Sequence, residues 1–325
     1  MRGIALVLCH TPPVSHRMHR RKMTPIFEEV AIHRAVVDLA GKAHEASQNE
    51  ELRKAPVSTI ARLGLIALMG GCAPTTNLLN PGSPSFFGSY AATSADSAAP
   101  RELRIVTFNI KLGRRVDRAI EVLSSDSLRG ADVLALQEVD EEGVERIARA
   151  LKLNYVYYPG SIHPTDHKYF GPALLSRWPI ERSWKLILPH AGRIRHQRRT
   201  ATAAVLRVRG ERVQAYAVHL ETQLKISEAA RKDQVLTILR DAARFDGPVV
   251  IAGDFNSQGI GPFLVHHGYN WVTARVGPSI AFFSWDHIFV RHLSPTGSPG
   301  AGLVRDVRGA SDHRPVWAVV AQPRV

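Results

Sequence analysis

The run Val249-Val250-Ile251-Ala252 reads as a buried strand, and Gly253, Asp254 and Asn256 follow at its end. Residues two apart on an extended segment face the same way, so a carboxylate and an amide project together from a strand end. A carboxylate in such a place needs a cation or a proton. Gly, Asp and Asn also make ordinary turns, so this pair alone does not separate a turn from a site. The arrangement recurs along the chain. Asn109, Glu138 and His219 end other apolar runs, while Asp286 and the pair Asp312-His313 stand at the starts of two more. Antiparallel neighbours bring starts and ends of strands to one sheet edge. Eight polar groups gathered at one edge make a site, whereas eight independent turns would scatter.

The elements that carry these groups follow from periodicity. Leu103–Ile110 and Ala131–Glu138 read as strands, each followed by a helical stretch, Arg115–Leu128 and Glu141–Leu151. The β-α-β-α order implies a sheet with helices on a face. Strands then dominate, the clearest being Pro172–Arg177, Ala203–Val208 and Val213–His219. Ser227 is a good N-cap for a helix reaching Arg244. Strands over Trp285–Val290 and Arg314–Ala321 complete the fold.

The 325 residues carry a formal net charge of +13, which favours anionic partners such as nucleic acid, phospholipid surfaces or phosphorylated small molecules. Two cysteines, Cys9 and Cys72, imply neither a zinc site nor a disulfide framework. No apolar run reaches the length of a membrane span. Residues 1–51 connect to no chemistry. In 52–72, basic residues precede an apolar run ending Met69-Gly70-Gly71-Cys72, the pattern of a bacterial lipoprotein signal with Cys72 as the lipidated residue. That signal lies far from Met1, so 1–51 reads as an extension upstream of the true start. A short buried helix ending at Gly70-Gly71 is the alternative. Residues 73–100, rich in Pro, Ser, Thr, Asn, Gly and Ala, read as a flexible tether, with the folded domain at 101–325. The expected location is the bacterial cell envelope, lipid-anchored or secreted.

Five segments in order then resemble one family: Thr107-Phe108-Asn109-Ile110, Leu136-Gln137-Glu138-Val139, Val218-His219-Leu220, Gly253-Asp254-Phe255-Asn256 and Ser311-Asp312-His313-Arg314-Pro315-Val316. Together they are similar to the endonuclease/exonuclease/phosphatase superfamily, the DNase I-like fold. Gly171–Arg177 and Arg231-Lys232-Asp233-Gln234 match further family segments. The resemblance implies an α/β four-layer αββα sandwich, two mostly antiparallel sheets with helices outside, and Mg²⁺-dependent cleavage of phosphate esters, with Mn²⁺ a possible substitute. Pro172 departs from the Asn usual in its segment. Trp285-Asp286-His287 lacks the pattern of abasic-site endonucleases.

In-line attack of water on a phosphate ester needs a cation, an oriented water and donors aimed at the developing charge. Glu138 fits the principal Mg²⁺ ligand, with Asn109 and Asp312 as helpers. Asp254 fits the residue that orients or deprotonates water, and Asn256 a donor to the phosphoryl oxygen. His219 and His313 fit phosphate contacts. His313 works best as imidazolium, and Asp286 on another strand is its better partner than adjacent Asp312. Arg199 closes the basic cluster Arg193–Arg199, which reads as a solvated loop or as an anionic-substrate contact; the resemblance implies an Arg near the site there. Lys168–Gly171 could meet substrate. His163, His167, His190, His266, His267 and His287 read as surface or packed residues. The functional expectation is a monomeric phosphoesterase acting on a lipid headgroup or similar exported phosphoester. A secreted or surface-tethered endonuclease is one alternative, and a non-catalytic binding module on the same fold another. The full set of polar groups argues against the last.

Overall fold

The structure, a computed structural model, describes residues 75–92 and 102–321. The expectations for 1–51, for 52–72 and for Cys72 lie outside the described residues. The chain runs β1 (Thr76–Asn77), β2 (Phe86–Gly88), β3 (Glu102–Asn109), α1 (Val116–Leu123), β4 (Val133–Val139), α2 (Glu141–Leu151) and β5 (Asn154–Tyr157). Next come β6 (Ser161–Ile162), β7 (Tyr169–Ser176), β8 (Ile180–Ile187), β9 (Thr200–Val208), β10 (Glu211–His219) and α3 (Glu228–Ala242). The remainder is β11 (Val249–Asp254), α4 (Ile260–His266), β12 (Asn270–Trp271), β13 (Asp286–Arg291), β14 (Ser294–Pro295), β15 (Ala301–Leu303) and β16 (Val316–Ala321).

These strands form two sheets. One has the spine β1-β6-β7-β4-β3-β16-β14, with β15 on β16 and β5 joining β2 to β7; the other is β12-β13-β11-β10-β9-β8. Pairing is antiparallel except between β3 and β4 and between β10 and β11. The period-2 alternation of the strands builds the layers. Ile105, Val133 and Leu174 of the first sheet meet Ala204, Ala215, Val250 and Ile288 of the second in one apolar cluster. The alternate residues Val106, Phe108 and Leu134 turn outward against Val116, Ala119, Val144 and Ile147 of α1 and α2. On the far side, Tyr216, Val249 and Ile251 pack on Val235, Ile238 and Leu239 of α3 and on Ile260 and Leu264 of α4. The result is the expected four-layer αββα sandwich of two mostly antiparallel sheets.

The helices start where their caps dictate. Asp140 accepts a hydrogen bond from Gly143 N at 2.7 Å ahead of α2, and Ser227 accepts one from Ala230 N at 3.2 Å ahead of α3. Strand β8, absent from the sequence reading, is a sheet edge that carries Glu181, Arg182 and Lys185, so it shows no clean apolar run.

The domain begins earlier than Arg101. Residues 75–92, expected to belong to the flexible tether 73–100, pack on the domain: β1 pairs with β6 and β2 with β5. Phe86 lies against the rings of Tyr157 at 5.9 Å and Tyr169 at 5.4 Å. Tyr90 donates to Glu145 at 2.8 Å. The Lys185 ammonium donates to Leu78 O and Ser83 O, both at 2.9 Å. Average composition concealed this. A few aromatic anchors and backbone pairing onto free strand edges are enough to hold a polar segment.

Candidate active site

Register brings the polar strand ends together. In the parallel pair β10–β11 His219 lies beside Asp254, and in the antiparallel pair β11–β13 Asp254 lies opposite Asp286. Those three residues therefore form one row across the second sheet. In the first sheet Asn109 pairs with Gln137, and a bulge between Leu136 and Val139 follows. Glu138 sits in that bulge with φ of +56°. The left-handed backbone is unusual for Glu and marks a stored strain; the side chain is 23% exposed and lies across from the row in the second sheet.

Asp254 is the hub. Its Oδ2 accepts from Asn109 Nδ2 at 3.1 Å and lies 3.6 Å from His219 Nε2 and 3.8 Å from His313 Nε2. Its Oδ1 accepts from Asn256 N at 2.8 Å. Burial pushes this carboxyl up to about 7, against the opposing pull of His313. Asn109 ties the sheets together, because the same amide donates to Glu138 Oε1 at 3.3 Å while its carbonyl accepts from Lys111 N.

Asp254 and Asp286 face each other across the strand pair, where two like charges repel. His313 stands between them. Its Nδ1 meets Asp286 Oδ2 at 2.8 Å. Burial alone would lower the pKa of the ring, but Asp286 and then Asp254 outweigh it and raise it to about 10. His313 is therefore an imidazolium at neutral pH. Asp286 is itself positioned by Ser279 Oγ, which accepts from Asp286 N at 3.1 Å.

His219 is the opposite case. Arg199 lies 3.1 Å from its Nδ1. A guanidinium can only donate, so Nδ1 is the acceptor and the ring proton sits on Nε2, toward Asp254. Burial and then the Arg199 charge hold His219 well below its usual range, and it stays neutral. The same carboxylate thus faces a neutral imidazole from its own sheet row and a charged one from the segment before β16.

Some residues sit differently from their sequence reading. Arg199 is turned inward rather than held out toward substrate, with its side chain 6% exposed and paired at 3.1 Å with Glu221, which is fully buried. The reason is electrostatic: Glu221 in that place needs a cation, and Lys225 supplies a second at 3.4 Å. Asn256 spends one amide hydrogen on Leu220 O at 3.0 Å. Asp312 pairs with Lys111 at 3.1 Å. His313 and Lys111 hold its carboxyl below the usual range even though burial acts upward. Lys168 caps Asp140 at 2.6 Å, whereas Phe170 flanks His219 with rings 5.9 Å apart. His287 is packed between Phe255 and Trp271, and His190 pairs with Asp233. Glu221, Lys111 and Ser311, whose Oγ donates to Asn109 O at 2.7 Å, escaped the sequence reading. Glu221 could have been found, because it stands two residues after His219, as Asn256 stands two after Asp254.

Two donor sets lie here for a cation. Asp254, Asp286 and His313 place ligand atoms within 4.8 Å of one another. Their atoms already satisfy each other, and an imidazolium has no lone pair to offer a metal. The strained, part-exposed Glu138, 3.3 Å from the Asn109 amide, offers carboxylate oxygen of the kind a hard cation takes.

The model of the endonuclease/exonuclease/phosphatase family matches residues 106–313. The chain belongs to this family. It is accordingly a metal-dependent hydrolase of phosphate esters. No curated protein matches the chain. Solved structures share the fold. The endonuclease/exonuclease/phosphatase from Beutenbergia cavernae is 18% identical with a TM-score of 0.53, covering 69% of this chain and 72% of that one. Humanized D. rerio TDP2 is 20% identical with a TM-score of 0.53, covering 69% and 100%. Sphingomyelinase C from Streptomyces griseocarneus is 20% identical with a TM-score of 0.52, also covering 69% and 100%. The family match ends at His313, so it spans every strand end described above.

Proposed function

We propose that this protein is a Mg²⁺-dependent phosphoesterase that cleaves a lipid headgroup or similar exported phosphoester, working as a monomer held at the bacterial cell envelope through Cys72. The observation that carries the chemistry is the paired state of the two imidazoles around Asp254. Glu138, with Asn109 and Asp312, would hold the cation; Mn²⁺ satisfies the same oxygen donors. When bound, the cation neutralises charge on the phosphoryl group and leaving oxygen. Asp254, raised toward neutrality by burial, accepts the proton of the attacking water at Oδ2. His313 presents a charged N–H at Nε2 to the phosphoryl oxygens, because Asp286 occupies Nδ1. His219 presents a neutral N–H from the other side, because Arg199 occupies its Nδ1. The second amide hydrogen of Asn256 has no protein partner among the described residues and suits the same oxygens.

The lipoprotein-like ending Met69-Gly70-Gly71-Cys72 supports the location, and fold similarity to a sphingomyelinase C supports the substrate class. The basic charge and a TDP2 structure complexed with single-strand DNA product, 19% identical with a TM-score of 0.54, favour the second reading, a secreted or surface nuclease. The test is a panel of plasmid DNA, RNA, sphingomyelin, phosphatidylinositol and soluble phosphate esters, each with Mg²⁺ and with EDTA. Release of a headgroup that EDTA stops is the expected result. Turnover of nucleic acid alone moves the assignment to the nuclease, and turnover that survives EDTA refutes the metal requirement.

A further inference from the structure

Three observations meet at the 190–199 loop, which ends on Arg199 beside His219. The chain enters the domain there, since Thr75 N donates to Arg195 O at 2.7 Å and Asn77 Nδ2 donates to His196 O at 2.9 Å. Asn77 Oδ1 in turn accepts from Arg198 N at 2.7 Å. The 190–199 loop is also fastened to the 221–226 loop. Arg193 N donates to Lys225 O at 3.0 Å, and Gly192 lies so close that a Cβ there would fall 2.8 Å from Glu221 Oε2. Next to that fastening, on each loop, a large apolar side chain is held out in solvent: Ile194 is 54% exposed and Leu224 is 65% exposed. Arg193 and His196 are exposed on the same segment.

Apolar tips fixed by a tied backbone, with the exposed Arg193 beside them and the half-buried Arg195 and Arg198 on the same segment, match an interfacial binding face. The tips enter the boundary between headgroups and acyl chains, and guanidinium groups meet lipid phosphates. We propose that the 190–199 and 221–226 loops form a seat for an anionic lipid surface, setting the His219–Asp254 cleft beside the headgroups. The seat is continuous with the chemistry, because Glu221 in the second loop holds Arg199 and Arg199 holds His219. Nucleic acid would use the same arginines but would gain little from Ile194 and Leu224. The inference rests on the membrane-facing reading above. Cys72 is three residues upstream of Thr75, so a lipid on it would join the chain within about 11 Å of this loop.

The body from Cys72 to Val325 is one compact unit carrying all three apolar clusters, so it is the form to test, with Cys72→Ser. Sedimentation with phosphatidylcholine vesicles, with and without phosphatidylglycerol, reads the partition. The protein is expected to follow the anionic vesicles and to be released by salt. The double variant Ile194→Glu, Leu224→Glu is expected to lose about tenfold or more in partition, the size of one buried leucine-sized contact. Phe87→Glu tests a still more exposed side chain, on a broad concavity that Trp178 and Arg209 also line at the opposite strand ends. It should partition normally. All variants should hydrolyse soluble bis-p-nitrophenyl phosphate at the parent rate, which reports folding. Equal partition of the double variant and the parent overturns the seat, as does a parent that ignores anionic vesicles. A parent that binds vesicles through these loops but releases no headgroup leaves the seat standing and removes the lipid substrate.

Discussion

Gly253→Ala is expected to disable the enzyme through one methyl group. A Cβ built on Gly253 lies 2.0 Å from Val218 O, 2.7 Å from Val218 C and 2.9 Å from Val218 N. All three are backbone atoms of β10, so no side chain can rotate away. Cβ atoms essentially never come within 3.0 Å of such neighbours. The two strands must therefore part by about 1 Å, a strain of the overpacking kind that costs roughly 1–3 kcal/mol or more. Val218 and Gly253 are paired in register, and the next pair is His219 and Asp254. The displacement thus falls on the two groups 3.6 Å apart at the centre of the site. A misplacement of about 1 Å in such a constellation costs roughly 100-fold in rate. Urea unfolding and kcat/KM on a soluble phosphodiester read the two effects separately. Gly82→Ala is the control, since its Cβ would meet only Asn80 Oδ1 at 3.6 Å. A Gly253→Ala protein within about 0.5 kcal/mol of the parent and equal in kcat/KM would refute the argument that this close approach sets the site geometry.

Further outcomes follow from the same contacts. Asp286→Asn removes the largest of the charges that raise His313 to about 10, leaving Asp254 as the main opponent of burial. The alkaline limb of kcat/KM then moves to lower pH, and the rate at neutrality falls by about 100-fold or more; an unmoved limb would contradict the imidazolium assignment. Glu221→Gln leaves Arg199 and Lys225 without their shared carboxylate and should cost about 3 kcal/mol in urea unfolding, with Glu221→Asp recovering part of it. Equal stability of all three proteins would count against the buried pair. A protein beginning at Arg101 loses β1, β2 and two of the carbonyls that hold the Lys185 ammonium, whose pKa burial already pulls down to about 8. Its Tm should fall by about 5 °C or more relative to one beginning at Cys72; matching Tm values would return 75–92 to the status of a tether.

Much was legible in the chain itself. Apolar alternation placed the central strands, Ser227 marked a helix start through its capping oxygen, and the polar residues at strand ends named the candidate site. These features are local, and local chemistry is what a sequence records. The family followed from short segments in order, each tied to a strand end. Tertiary structure alone decided the partners. That His219 is neutral and His313 charged depends on Arg199 twenty residues away and on Asp286 twenty-seven residues away. The two imidazoles look alike in sequence, and only their neighbours in the fold, Arg199 beside one and Asp286 beside the other, set their fields apart. The same holds for Arg199, for which charge alone left both a solvated loop and a substrate contact open; it folds inward beside His219 because Glu221, two residues past that histidine, is fully buried. Residues 75–92 looked like a linker by composition, yet they pair with strand edges that exist only once the sandwich has formed. A group's charge, its partner and the edge it can pair with are properties of neighbours in space, and the fold supplies those.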